Sequence, residues 1–355
     1  MECVYPPPKD RMSQPKQTPP NVVLSATPPT VATPISTPIP VTNEFSTPIL
    51  GEENVQLLRL MHHFCTCTAK TTTVEPAGQE LIQTHMVNIA FDYPFLLHAI
   101  LALAALHLGR INVPARATYL LQAERHYETA TTLFRNDIKG INDTNSQAVL
   151  YFAAILDPYS SSIPTFTNDL DHAFDSILHS FALTRRLRPM VSQFYPEIFT
   201  SEFARFIPAD TQGIDWAVVV PPAETELTKL RKFSELVQQL YPPDIIEAYK
   251  HAIHALEMVF GQVAKLLPQL PSPTLVKMWV HLISPRFLEL LSERQPGALI
   301  IFTHYGVLIK RIHHFWFLEG YAEQVLNIAE AFLPGEWKAW IDWPREQISA
   351  GGEAS

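Results

Sequence analysis

Proline follows two regimes along this chain, and the break between them decides what can fold. Twelve of the 31 prolines fall between Pro6 and Pro48, a stretch with no glycine. Thr18 to Pro48 repeats Thr-Pro and Ser/Thr-rich units. Proline lacks an N–H and its ring obstructs the preceding turn, so such a run sustains no helix ladder. It also buries too little apolar surface to offset the entropy of ordering it. Residues 9–50 therefore read as a disordered linker rich in Pro, Thr and Ser, with polyproline character. From Gly51 onward proline becomes punctuation between apolar-periodic segments.

Those segments predict helices. Glu52 to Cys67 repeats apolar residues at helical spacing. Asp92-Tyr93-Pro94 reads as a helix start, with Asp92 as a cap candidate and proline near the first turn. The run that follows, PFLLHAILALAALHLG, is apolar all round, as expected of a helix in the centre of a bundle, with Gly109 as its stop. Further helices are expected over Ala115 to Lys139, from an Asp143 cap through Ile155, over Asp169 to Arg188, over 223–240 and over 244–267. The block 274–341 reads as three or four more, broken at Pro285, Pro296, Gly320 and Pro334. An irregular middle, 189–222, carries five prolines, and Val218 to Val220 is a weak strand candidate. Hydrophobic residues make up 47% of the chain, enough for a sizeable core. The expectation is all-α: a single large helical bundle over 51–346, followed by a disordered tail at 347–355.

Several function classes are disfavoured. Lys plus Arg number 26 against 35 Asp plus Glu, a net charge of −9, which argues against phosphate contact by these residues alone. The three cysteines, Cys3, Cys65 and Cys67, are too few for a disulfide framework or a complete cysteine zinc site. No Gly-rich phosphate loop, H-E-x-x-H pair or G-x-S-x-G elbow occurs, and no acid–base–nucleophile set converges, so an enzyme is not expected. The longest uncharged run, Pro94 to Gly109, would reach about 24 Å as a helix against the ~30 Å of a hydrocarbon core, so no membrane span is expected. Residues 1–20 have no apolar segment of signal-peptide type.

Three stretches carry more than helical patterning: Leu60/His63/Phe64 as L-x-x-H-F, Pro94 to Leu108, and Pro296 to Leu308, followed by Trp316/Gly320 and Trp343/Pro344. In this order they resemble the C-terminal regulatory domain of fungal zinc-cluster transcription factors, in the branch of the sterol uptake control proteins. The resemblance covers nearly all of 52–345. Met1 to Pro6 resembles the end of a Zn2Cys6 DNA-binding motif, with Cys3 as its last cysteine. Six thiolates are needed for the zinc pair, so Cys3 is a metal ligand only as the remnant of an incomplete cluster. Residues 1–8 are read as that remnant, and the chain as either a truncated form of a longer protein or a regulator that lacks the cluster.

The resemblance implies a nuclear transcription regulator, cytoplasmic when ligand-bound, that senses a sterol or another apolar ligand and controls sterol metabolism or uptake genes. It implies no cofactor in this chain, zinc in a full-length form, a homodimer or a heterodimer with related factors, and DNA contact only with the cluster present. The alternatives are a pathway-specific regulator of a biosynthetic gene cluster without a sterol ligand, or a dimerising regulator deficient in DNA binding. Ligand-pocket candidates are His98, His304, Tyr305, Phe315, Trp316, Gly320 and Tyr321. The aromatics between Phe315 and Trp343 read either as core packing or as rigid walls of a lipid pocket. His98, His107 and His304 read either as neutral core histidines or as partners of a ligand hydroxyl. His251 and His254 read as surface residues, and Cys65 and Cys67 as reduced thiols that point apart.

Overall fold

The computed structural model describes residues 51–192, 204, 207–223 and 225–350. The expected linker at 9–50 and the Met1 to Pro8 segment with Cys3 lie outside the described residues, as do 351–355 of the expected tail. Among the described residues every regular element is helical and there is no strand, so the fold is all-α. Val218 to Val220 belongs to turns and loop. Of the segment before Gln56, only the first turn of α1 (Glu52–Thr66) is described, with Glu52 and Glu53 at the positive end of the helix dipole.

From Gln56 on, proline sets the starts of helices. Six described helices open on it: α2 (Pro76–Glu80), α4 (Pro94–Ile111), α9 (Pro243–Leu266), α10 (Pro273–Leu282), α11 (Pro285–Ser292) and α12 (Pro296–Lys310). At the first helical position the missing N–H is one that has no intrahelical partner anyway. The others are α3 (Val87–Asp92), α5 (Arg116–Asp137), α6 (Ser146–Ser162), α7 (Leu170–Ser192), α8 (Thr228–Leu240), α13 (Tyr321–Phe332) and α14 (Asp342–Ala350). A π-helical turn, Leu81–Met86, joins α2 to α3.

Two helices are buried on nearly all sides and organise the rest. Thirteen of the 18 residues of α4 are buried, and α5 and α6 pack along it. By length and composition α4 would cross a bilayer; here its apolar sides are covered by protein. In α12, thirteen of 15 residues are buried, against α9, α11, α13 and α14. Gly297 admits the close approach of α9: a Cβ there would sit 2.5 Å from Cε2 of Tyr249. The α6–α7 and α7–α13 contacts join the two groups.

Several local expectations are corrected. Asp92 ends α3 rather than capping α4, whose N-cap is Tyr93 without a side-chain bond. Gly109 does not stop α4, which continues to Ile111 because buried Gly109 still lies under α5. Asn145, not Asp143, precedes α6; the turn is held by Asn142 Oδ1, which accepts from the backbone N–H of Thr144 and Asn145. Pro189 lies inside α7. The chain stays helical to Ala350, past the expected end at 346, because Ile348 is buried against Gly306 of α12. Asp169 precedes α7 and caps it: its Oδ1 accepts from the N–H of Asp171 and His172.

Candidate functional site

The described residues line a large, partly open cavity of about 720 Å³, within the range of roughly 300–1,000 Å³ usual for small-molecule sites. Five segments far apart in sequence build it: Thr72–Met86, α6 with part of α7, Ile207–Trp216, Leu266–His281, and Phe315 with Phe317. The walls are mainly apolar, including Ile82, Met86, Leu150, Trp216, Met278 and Phe317. The π-helical turn supplies Ile82 and Met86; such turns widen a helix locally and recur at functional sites.

The polar part of the wall is concentrated. Lys277 Nζ donates to Asp157 Oδ1 at 2.9 Å, to Asp157 Oδ2 at 2.8 Å and to Ser161 Oγ at 2.6 Å. The Lys277 side chain is 12% exposed and that of Asp157 35%. The ammonium also lies 5.6 Å from the centre of the Phe317 ring. Pro158, next to Asp157, lacks the N–H that would otherwise pair with the Ala154 carbonyl, and both residues line the cavity. Elsewhere on the wall, Asp210 accepts from Ser272 Oγ at 2.8 Å and from Ser272 N–H at 2.7 Å. Ser272 Oγ in turn caps α10 by accepting from Leu275 N–H. This clasp pins the irregular middle segment to the helical body as one wall.

A second cavity, only about 10 Å³, lies behind the ion pair. Asp157, Ser161 and Lys277 line it together with Ser180, Tyr305 and Tyr321, and Asp157 and Lys277 also line the large one. Burial raises the phenol pKa of Tyr305 and Tyr321, and the nearby Asp157 charge adds to it.

The structure disperses the sequence-predicted site residues. Phe315 lines the large cavity. Tyr305 and Tyr321 meet in the small one, where Tyr305 also stacks on Trp279 at 4.5 Å. Trp316 is buried against His107, ring centres 4.7 Å apart. Gly320 is the N-cap of α13, with φ of 79°. His304 is buried in α12, donating Nδ1–H to the Ile300 carbonyl and stacking on Trp343 at 5.6 Å; burial lowers its pKa to about 4. His98 pairs with His126 through their Nδ1 atoms at 2.9 Å, and burial lowers the pKa of both. His63 and His107 meet at 3.2 Å, with Thr68 Oγ1 3.0 Å from His107. Burial drives these two imidazoles to about 4 and about 3. His251 and His254 are exposed. No group of three or more metal-ligating side chains converges among the described residues.

Sequence reasoning missed Asp157, Lys277 and Asp210. The first two carried a usable signal. Each is the sole formal charge in an otherwise apolar helix segment, AVLYFAAILDPY and PTLVKMWVHL. An isolated charge at such a position needs a partner, and each is the other's.

Comparison with known proteins follows the helical body. Residues 59–162 match the fungal specific transcription factor domain. The chain is 27% identical over 299 residues to Sterol uptake control protein 2 of Saccharomyces cerevisiae, covering 80% of this chain and 31% of that protein. It is 25% identical over 316 residues to a Zn(2)-C6 fungal-type transcription factor of Gibberella zeae, covering 83% and 62%. Sterol uptake control protein 2 of Candida albicans is 32% identical over 108 residues, covering 29% and 14%. The chain spans less than two thirds of the length of each of these relatives.

Proposed function

We propose that this chain, whose residues 59–162 match the fungal specific transcription factor domain, is a transcription factor's regulatory body that senses an apolar small molecule of sterol size. The family is one of transcription factors, not enzymes, and its role is generally nuclear. The cavity of about 720 Å³ carries the proposal, because it is large and mainly apolar and sits where five segments of the chain meet. An occupant that touches all five stabilises one mutual arrangement of them. It shifts the population between two states by as much as its affinities for them differ. Occupancy holds the regulator inactive and outside the nucleus, and loss of ligand releases it. Two relatives are named for sterol uptake control, which supports a sterol as occupant and sterol-related genes as targets.

Association with DNA belongs to a form that carries the complete zinc cluster, and dimerisation with itself or related factors sets the spacing of the half-sites. Purification without detergent, followed by lipid mass spectrometry, tests the ligand claim. A stoichiometric co-purifying sterol supports it. A protein that carries no sterol and takes none up at micromolar concentration defeats it, and leaves a regulator of a biosynthetic gene cluster that has no sterol ligand.

A further inference from the structure

We propose that Asp157, held by Lys277 and Ser161, is the head-group subsite of the large cavity, and that it selects ligands ending in a neutral hydroxyl over ligands ending in a carboxylate. The inference rests on the cavity being a site for apolar ligands. It adds the end of the cavity at which the ligand's polar group docks and the chemistry that group must have.

The inventory of donors and acceptors makes the case. An ammonium has three N–H donors. Those of Lys277 go to Asp157 Oδ1, Asp157 Oδ2 and Ser161 Oγ. Ser161 has one hydroxyl proton, and it goes to the Asp157 backbone carbonyl at 2.7 Å. Neither residue has a donor left for an incoming carboxylate. An ionised carboxylate offers about four lone-pair sites. Lys277 takes two of those on Asp157, so acceptor capacity remains on a cavity-lining side chain that is still 35% exposed. A ligand hydroxyl donating there makes a charge-assisted hydrogen bond in an apolar surround, the stronger kind.

The charge balance points the same way. Besides the imidazole of His281, the ionisable side chains in the cavity lining are Glu75, Asp157, Asp210 and Lys277, of which only Lys277 carries a fixed positive charge. Three carboxylates against one ammonium leave the wall negative, and that one ammonium is already paired with Asp157. A second carboxylate brought in by a fatty acid meets repulsion and no free cation. A sterol alcohol, or another long neutral alcohol, meets neither obstacle.

The test titrates the full chain with two intrinsically fluorescent lipids of opposite head-group chemistry. Dehydroergosterol is a neutral alcohol, and cis-parinaric acid is a carboxylic acid. The expected result is that the alcohol binds at least about tenfold more tightly at neutral pH, the factor that one such hydrogen bond supplies. In Asp157→Asn the amide oxygen still accepts while the negative charge is gone, so the preference narrows to less than about threefold, chiefly because the acid gains affinity. Circular dichroism establishes that this variant is folded. Should it fail to fold, wild-type titration with parinaryl alcohol against cis-parinaric acid, which share one chain and differ only in head group, decides. Equal binding of both lipids, or tighter binding of the acid, overturns the head-group assignment and leaves the apolar pocket standing. Binding of neither overturns the pocket reading as well.

Discussion

At the scale of single residues, burial decides more than identity does. His63, His107 and His304 are held neutral in the folded chain, at about 4, about 3 and about 4, because burial penalises the charged imidazole. In the unfolded chain they titrate near the ordinary 6.5. Stability from these groups is therefore complete above about pH 6.5. It falls as the pH drops toward about 4, since the unfolded state then takes up protons that the folded state refuses. Each contributes at most about 1.4 kcal/mol per pH unit within that window. Urea unfolding at about pH 7 and about pH 5 should show a clear loss at the lower value, smaller in His63→Gln. Equal midpoints would contradict this.

Two glycines separate strain from space. At Gly320 nothing lies within 4 Å of where a Cβ would sit, yet φ is 79°. Gly320→Ala should cost about 1 kcal/mol through the backbone alone. At Gly297 the same change drives a methyl into the Tyr249 ring and should cost about 1–3 kcal/mol. Denaturant midpoints rank the two, and a larger loss at Gly320 would refute the ranking. The lone charges Asp157 and Lys277 went unremarked in the sequence, and their partnership is a contact between residues 120 apart.

At the scale of elements, proline and capping serine do most of the specifying, and both are local enough to read from sequence. Pro94 marks a helix start as expected, and Pro285 and Pro296, read as breaks, open the helices that follow them. Asp92 and Asp143 misled because a cap is chosen by where the chain turns, and Asn142 makes the turn before α6. Ser272 and Ser284 each cap a helix by accepting from the N–H three residues on. Ser284→Ala should cost about 1 kcal/mol. Ser272→Ala should cost distinctly more, since it also breaks the clasp to Asp210 that holds the 207–216 wall of the cavity. Chemical denaturation of both variants checks this, and equal losses would mean that the clasp adds nothing.

At the scale of the whole molecule, the helical class was legible and the cavity was not. Periodicity reports which face of each helix is apolar, but not the space left between five segments where they come together. The aromatic cluster near the end illustrates the difference. Trp337 and Trp340 pack edge-on to Phe233, Trp343 covers His304, and of the cluster Phe315 and Phe317 reach the cavity. The irregular middle, read as a break, supplies a wall through Ile207, Ile214 and Trp216. The proposed regulation by an apolar ligand depends on that cavity being a binding site. Ala154 lies on its wall and is half-buried, so the indole of Ala154→Trp would intrude into the ligand space while sparing the buried core. The most direct measurement is the melting temperature of the full chain and of Ala154→Trp across a titration with ergosterol. The wild-type value should climb with concentration, reaching about 2.7 kcal/mol of added stability at about 100-fold excess over Kd, and the variant's should stay flat. A flat wild-type curve, or an equal climb in the variant, would contradict ligand binding in the cavity.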